Sequence, residues 1–524
     1  MSPVPLSPRV AGWAGPVGVA LLAFFLRVWR LGDPHEFAFD ETYYAKDAWS
    51  MLRHGYVRDY VEKADQRIID GRTNGLFEDG PSMVVHPEVG KWLIAAGEWA
   101  FGMDPFGWRI ASAVAGALMV LVLCRLVRRL TGSTMLGCVA GLLLCFDGLH
   151  LVLSRLALLD IFVACFLVFA AACLVADRDH TRARLAARTA SPGTPTGWGP
   201  RILVRPWLAL AGVWFGLAIG TKWSAVYPLA AFGLLVWAWD SGFRRSLGIR
   251  WPVLKAAVLD AVPAFVHLVV VALVVYTVSW TGWLLHAGEY EEHLSDTQYT
   301  VHVEGGWPTA DEPDAEGVVG ETWQSVRSLY HYHRDVYRFH THDLDDADHV
   351  YQSHPAGWLL MGRPVGVNVE NDIPPGEQGC GAPADSHCIK EVLLLGTPVL
   401  WWGGALALAW AVVGWLGRRD WRYGFALVGA VSMWLPWYLN DDRPLFSFYA
   451  SAVLPFTIVA LTLLLGEILG RAPAPTPRRT LGTIVTGSFF VLVLLNFAWF
   501  WPIWTNGLLT HDEWLARMWF ERWI

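Results

Sequence analysis

Two adjacent carboxylates, Asp40 and Glu41 in Phe37-Ala-Phe-Asp-Glu-Thr-Tyr-Tyr-Ala-Lys-Asp47, follow directly on the first long apolar run. Their place puts an ionisable pair at the mouth of a membrane helix, where charge is costly and asks for a reason. A carboxylate there suits general-base work on a hydroxyl. Its plainer use is capping: Asp40 reads as the N-cap of a helix over residues 41–54 stopped by Gly55, with Glu41 favouring the positive helix end. On that helix Asp40, Tyr44 and Asp47 share a face, and Glu41 points to its flank.

Other polar groups gather at the ends of apolar runs. His86-Pro-Glu-Val-Gly-Lys91 opens a segment over residues 89–101 that reads as a helix on the membrane surface. Arg109 lies early in the second run, Arg155 and Asp160 between the third and fourth, and Lys222 between the fifth and sixth. His354 and Arg363 belong to a long polar segment, and Arg443 to the Asn-Asp-Asp-Arg-Pro turn. An acid pair beside several cations at a water–lipid boundary suits group transfer from a lipid-linked anionic donor, with the carboxylate as base and the cations on the phosphate. Each group also has a structural use. Arg155 and Asp160 can pair with each other, Arg109 can be the counter-ion of Glu41, and Lys222 can snorkel to head groups. No metal is required where cations supply the charge. Asp441-Asp442 is explained by its turn, and the histidines of the stretch from His331 to His349, interspersed with Asp343, Asp345, Asp346 and Asp348, fit no standard metal spacing and read as a solvated loop.

The elements that must position these groups are membrane helices. Hydrophobic residues make up 54% of the 524-residue chain and charged residues only 17%, clustered between long apolar runs, which excludes a soluble enzyme. The fold class is therefore all-α and polytopic, with about eleven transmembrane helices near residues 11–31, 106–124, 135–150, 156–176, 207–221, 223–239, 258–281, 393–416, 422–439, 446–469 and 481–501. The first run lacks a small-residue cleavage site and reads as an anchor. Arginine-rich loops after the second, fourth, sixth, eighth and tenth spans fall on one side, which the positive-inside rule makes cytoplasmic. Arg27 and Arg30 break that rule. Two extracytoplasmic loop regions, residues 32–105 and 284–391, and an amphipathic tail, residues 502–524, then face outward. The segment over residues 177–205 reads as a flexible loop. No nucleic-acid motif occurs, and no internal repeat of the kind that marks many transporters.

Of the seven cysteines, Cys380 and Cys388 lie in the long outward loop and are spaced for a disulfide closing a small ring; zinc binding with His387 is the alternative. The other five sit in apolar runs as packing residues.

Several motifs, in order along nearly the whole chain, resemble protein O-mannosyltransferases. They are Phe39-Asp-Glu-Thr-Tyr-Tyr-Ala45, His86-Pro-x-x-Gly-Lys91, Ser154-Arg-Leu-Ala-Leu-Leu-Asp160, Gly220-Thr-Lys-Trp-Ser224, Trp358-Leu-Leu-Met-Gly-Arg-Pro364, Gly396-Thr-Pro-Val-Leu-Trp-Trp402 and Arg443-x-x-x-x-Phe-Tyr449. The resemblance is strongest to the actinobacterial polyprenyl-phosphate-mannose–protein mannosyltransferases. It implies a GT-C fold with an extracytoplasmic active site, and Asp40 as the base. Glu41 would orient the acceptor or pair with Arg109, and Lys222, Arg155 and Arg443 would be phosphate or structural contacts. It further implies inverting transfer of mannose from polyprenyl-phosphate mannose to Ser or Thr of unfolded secreted proteins, without a cofactor, next to membrane lipids and the Sec translocon. Two departures stand out: Glu88 replaces the second proline of the family's His-Pro-Pro, and the long loop lacks the β-trefoil insert of the fungal members. The rival expectations are a GT-C transferase acting on a lipid or cell-wall polymer, and a transporter or flippase.

Overall fold

Prolines and short polar side chains set the starts of the long helices. Asp104 accepts a hydrogen bond from Gly107 N (2.8 Å) ahead of Pro105, and Thr476 accepts one from Arg479 N (3.2 Å) ahead of Pro477. Proline fits there because its missing N–H has no helical partner in the first turn. A computed structural model describes residues 8–189, 198–302, 305–345, 347–440, 442–470 and 476–524. The Ser191-to-Gly197 part of the segment read as a flexible loop, together with Asp346 and Asp441, lies outside these.

Each apolar run carries a helix, from Pro8–Val28, through Pro105–Thr131 and Leu159–Thr189, to Pro398–Leu416 and Pro477–Trp504. Among the described residues, five helices are long and apolar enough to cross a membrane by themselves, and four shorter apolar helices accompany them. The chain is built as a multi-pass membrane protein. Several runs are less regular than expected, the third and the tenth among them. The third is broken: Thr134–Cys145 stops, and Asp147 caps a separate short helix, Gly148–Leu153, by accepting from His150 N (2.8 Å). The tenth opens as a 3-10 turn, Ser447–Ala452, before the helix Leu454–Leu469. Close helix contact needs small residues. A Cβ on Gly212 would lie 2.3 Å from His267 O, and one on Gly216 would lie 2.6 Å from Ala272 O, so only glycine allows the Pro206–Ile219 helix its approach to the backbone of residues 266–279.

The helical class holds, but the all-α expectation omits two small antiparallel sheets. Arg58–Tyr60 pairs with Phe77–Pro81. A second sheet orders Val365–Ile373, Cys388–Leu394 and Leu509–Thr510, with Ile373 opposite Cys388 and Cys388 opposite Thr510. Cys380 and Cys388 are bonded, closing the turn between the first two strands, so they are not available as zinc ligands. The tail is more than an interface strap. It supplies the third strand, and Trp523 Nε1 donates to Met361 O (2.8 Å) while Trp514 Nε1 donates to Glu391 Oε2 (2.6 Å). The long polar segment is likewise not an open loop: it contains the helix Gly317–Arg338, whose Tyr332 and Val336 are buried against Trp280 and Trp283.

Candidate active site

The helix Glu41–His54 forms as its caps predict, closed by Gly55 at φ 85°. Asp40 takes the N-cap position but makes no side-chain capping bond, so capping does not account for it. Its partly exposed carboxylate accepts instead from Tyr44 Oη, one turn on, at 3.3 Å. Phe39, just before it, is held at φ 53° with its ring edge-on to Phe446 and Phe448 at 5.9 and 6.0 Å. A bulky residue in the left-handed region stores strain, the kind of cost that functional sites carry. Burial raises the Asp40 carboxyl above its ordinary range and Asp160 adds to the shift, while the Lys222 charge and the Tyr44 hydroxyl oppose it.

Glu41 has the opposite character. It is fully buried and accepts four hydrogen bonds: from Arg109 Nε (2.9 Å) and Nη2 (2.7 Å), from Ala38 N (2.9 Å) and from Ala157 N (2.8 Å). Arg109 spends its remaining N–H groups on Leu31 O, Pro34 O and Glu36 O at 3.3, 2.8 and 2.8 Å. Arg109 is thus the counter-ion of Glu41 and ties the segment from Leu31 to Glu41 to the helix Pro105–Thr131. It has no free donor for a substrate.

Three more of the expected substrate contacts are ties within the fold. Lys91, 1% exposed, bonds Asp47 at 2.9 Å and joins the helix Val89–Phe101 to the helix Glu41–His54. Arg155 does not pair with Asp160. It donates to Arg27 O (3.0 Å), Trp29 O (2.5 Å) and Arg30 O (3.2 Å), satisfying the orphan carbonyls where the first helix ends. Arg363 donates to Arg522 O (2.6 Å) and Ile524 O (2.7 Å) and pins the tail. Glu88 is buried behind the site, where it accepts from Trp92 Nε1 at 3.3 Å and burial raises its carboxyl to about 7.

The remaining groups converge on one cavity of about 310 Å³ at this end of the helical bundle. His86, Asp160, Lys222 and Arg443 line it, with Trp223, Met433, Trp437 and Tyr449 as apolar wall. Asp40 sits beside it, close enough to interact with both Lys222 and Asp160. Lys222 does not snorkel: its Nζ donates to Asp160 Oδ2 at 2.7 Å and lies 5.2 Å from the Tyr449 ring centre. Burial works against its charge, but Asp160, Tyr449 and Asp40 more than offset it, so its pKa is raised. His354 lines a neighbouring polar pocket of about 330 Å³ that shares Arg443.

The residue that sequence reasoning missed is His340. Its stretch reads as solvated, yet it follows the helix Gly317–Arg338 in a π-turn, Phe339–Asp343, and its ring lies in the cavity wall, 5.5 Å from and nearly parallel to His86. Burial, Arg443 and Lys222 push its pKa down to about 4, against the Val85 hydrogen bond that raises it. His86 is lowered as well, by burial first and then by Lys222 and His340. The available signal was the seven-residue step from His333 to His340, two turns on one helix face; both rings contact Trp223.

A membrane-helix bundle with a carboxylate and two cations around a sugar-sized cavity at one end describes a glycosyltransferase of the GT-C fold. The backbone matches the solved Saccharomyces cerevisiae protein O-mannosyltransferase Pmt1-Pmt2 complex, bound to its sugar donor, with a TM-score of 0.69 over 99% of this chain and 93% of that chain at 14% identity. ArnT from Cupriavidus metallidurans, bound to undecaprenyl phosphate, matches with a TM-score of 0.50 over 93% of this chain and 71% of that chain, also at 14% identity. In sequence, the dolichyl-phosphate-mannose-protein mannosyltransferase family model matches residues 17–287, and that of the C-terminal four TMM region of protein-O-mannosyltransferase matches residues 325–523. The polyprenol-phosphate-mannose–protein mannosyltransferase of Mycolicibacterium smegmatis (strain MKD8) is 36% identical across 100% of this chain and 96% of its own length. The chain belongs to the dolichyl-phosphate-mannose-protein mannosyltransferase family and is a protein mannosyltransferase, which decides against the transporter expectation.

Proposed function

We propose that the protein transfers mannose from polyprenyl-phosphate mannose to Ser and Thr hydroxyls of unfolded secreted proteins, with Asp40 as general base. The observation that carries this reading is the state of Asp40: a carboxylate free of capping duty, with one weak hydroxyl partner, beside a cavity whose cations are Lys222 and Arg443. Asp40 takes the proton of the acceptor hydroxyl as its oxygen attacks the anomeric carbon. The bond to the lipid phosphate breaks with inversion, and Lys222 and Arg443 stabilise the departing phosphate. In this mechanism the two cations supply the charge stabilisation, and no cofactor takes part. Asp160 holds Lys222, and Glu41 with Arg109 fixes the turn that presents Asp40.

The site faces the extracytoplasmic side in this reading. Arg109 lies in the first turns of the helix Pro105–Thr131 and Arg125, Arg128 and Arg129 in its last, so site and basic cluster stand at opposite ends of a 27-residue helix about 40 Å long. Both termini are assigned accordingly: the N-terminus cytoplasmic and the tail outside, near membrane lipids and the export channel that delivers unfolded acceptors.

The test is mannose transfer from polyprenyl-phosphate mannose to a Ser/Thr-rich peptide by wild type and Asp40→Asn. Asparagine keeps the shape and the Tyr44 contact but removes the base. The expected loss is about 10²–10⁴-fold in rate with donor binding retained. A variant with a near-normal rate would remove Asp40 from the reaction; transfer to lipid but not to peptide would remove the protein acceptor.

A further inference from the structure

The His340 ring joins three stretches of chain that are far apart in sequence. Its Nε2 donates to Val85 O at 3.1 Å, one residue before His86, and its Nδ1 accepts from Arg443 Nη1 at 2.8 Å. A carbonyl only accepts and a guanidinium only donates, so both ring nitrogens have fixed roles and the imidazole is the neutral Nε2–H form. Turning the ring over would put carbon in place of both nitrogens, and protonating it would set N–H against N–H at Arg443. The His86 stack and the edge of Trp223, 6.4 Å away, hold the ring plane.

Arg443 has little else. Among the described residues its two protein hydrogen bonds both run from Nη1 to residue 340, to the ring nitrogen and to the carbonyl at 3.5 Å. Among the described residues its buried Nε has no hydrogen-bond partner and no carboxylate pairs with it. The contrast with Lys222 is chemical. Asp160 fixes Lys222 and offsets its charge; a neutral histidine fixes Arg443 and leaves the whole charge, with the remaining N–H groups, for an anion.

We propose that His340 is a positioning residue for the transfer reaction: it holds Arg443 in the cavity with its charge uncompensated, so that the guanidinium receives the phosphate of the lipid donor. The inference rests on the function proposed above, in which Arg443 is a phosphate contact.

The experiment is steady-state kinetics with varied polyprenyl-phosphate mannose, using the full-length protein in lipid vesicles. The variants are His340→Phe, which keeps ring packing without an acceptor, His340→Asn, which returns an amide oxygen near the place of Nδ1, Arg443→Ala, and the Phe and Ala changes together. Removing one charge-assisted hydrogen bond should raise the donor KM about tenfold or more in His340→Phe, with the peptide KM unchanged. His340→Asn should recover most of that loss, and His340→Phe should cost nothing further once Arg443 is Ala. His340→Leu carries the same test if the phenylalanine variant does not accumulate. A donor KM within twofold of wild type in His340→Phe, or full additivity with Arg443→Ala, would overturn the role of His340 alone. A normal donor KM in Arg443→Ala would overturn the phosphate contact itself, while leaving the Asp40 test untouched.

Discussion

Arg109→Met separates a group that holds the site from one that touches substrate. Met replaces the arginine stem but none of its donors. Glu41, at 0% exposure, would keep only the Ala38 and Ala157 N–H groups, and the carbonyls of Leu31, Pro34 and Glu36 would lose their donors. Breaking a buried ion pair from one side costs about 3–5 kcal/mol, and each stranded carbonyl adds roughly 1–3 kcal/mol where no water replaces the donor. Against a total stability of roughly 5–15 kcal/mol, the single variant should accumulate poorly and melt well below wild type in detergent. Removing the stranded charge as well, in Glu41→Leu with Arg109→Met, should recover part of that loss, because an apolar pair is an acceptable substitute for a buried ionic one. Arg109→Lys should fall between, since an ammonium cannot reproduce the planar fork. Whatever fraction folds should bind donor with a near-normal KM. An Arg109→Met protein that melts like wild type but has a raised donor KM would refute the hydrogen-bond accounting and return Arg109 to the substrate.

Two further outcomes follow from the same geometry. Asp40 works as a base only when deprotonated, and burial raises its pKa above 3.8, so kcat/KM should fall as pH drops through a midpoint above that value. Lys222→Met removes the charge that opposes the shift and should move the acid limb upward; a limb at or below 3.8, or one that Lys222→Met leaves in place, contradicts the assignment. Replacing Cys380 and Cys388 together by Ser opens a loop with a sequence separation of 8, worth about 2.5 kcal/mol in chain entropy, so melting should fall while kcat and donor KM stay put. Lost activity with unchanged melting would tie the second sheet to the chemistry.

Local rules made much of the frame legible. The ends of the helices Glu41–His54 and Val89–Phe101 follow from the glycines that succeed them and from the spacing of their apolar faces, and both form over the expected residues. Hydropathy located the apolar runs because a membrane helix has to satisfy its backbone internally. It could not foresee the break at Asp147, where a buried carboxylate accepts from His150 N and from Trp401 Nε1, 254 residues away, at 2.7 Å. Nor does hydropathy report pairing between segments, so the third strand, Leu509–Thr510, was invisible in a tail whose composition reads as interfacial.

The site was half legible for a related reason. Sequence gives the type and place of a charge, and the type is the same for Arg109, Arg155, Arg363 and Arg443. What separates them is the supply of acceptors. Arg109 meets a carboxylate and three carbonyls, Arg155 meets the end of a helix, and Arg363 meets the carbonyls of Val350, Arg522 and Ile524, so each is consumed by the fold. Arg443 meets a single imidazole and retains donors. The same reasoning divides the acid pair. Adjacent in sequence, Glu41 takes four hydrogen bonds and Asp40 one, because the helix turns them about 100° apart and only one of those directions faces packed chain. A catalytic base needs an unfilled lone pair near the reacting atom, and a structural acid needs none left over. Hydrogen-bond saturation therefore supports the proposed division of roles, where spacing alone could only place the two acids side by side.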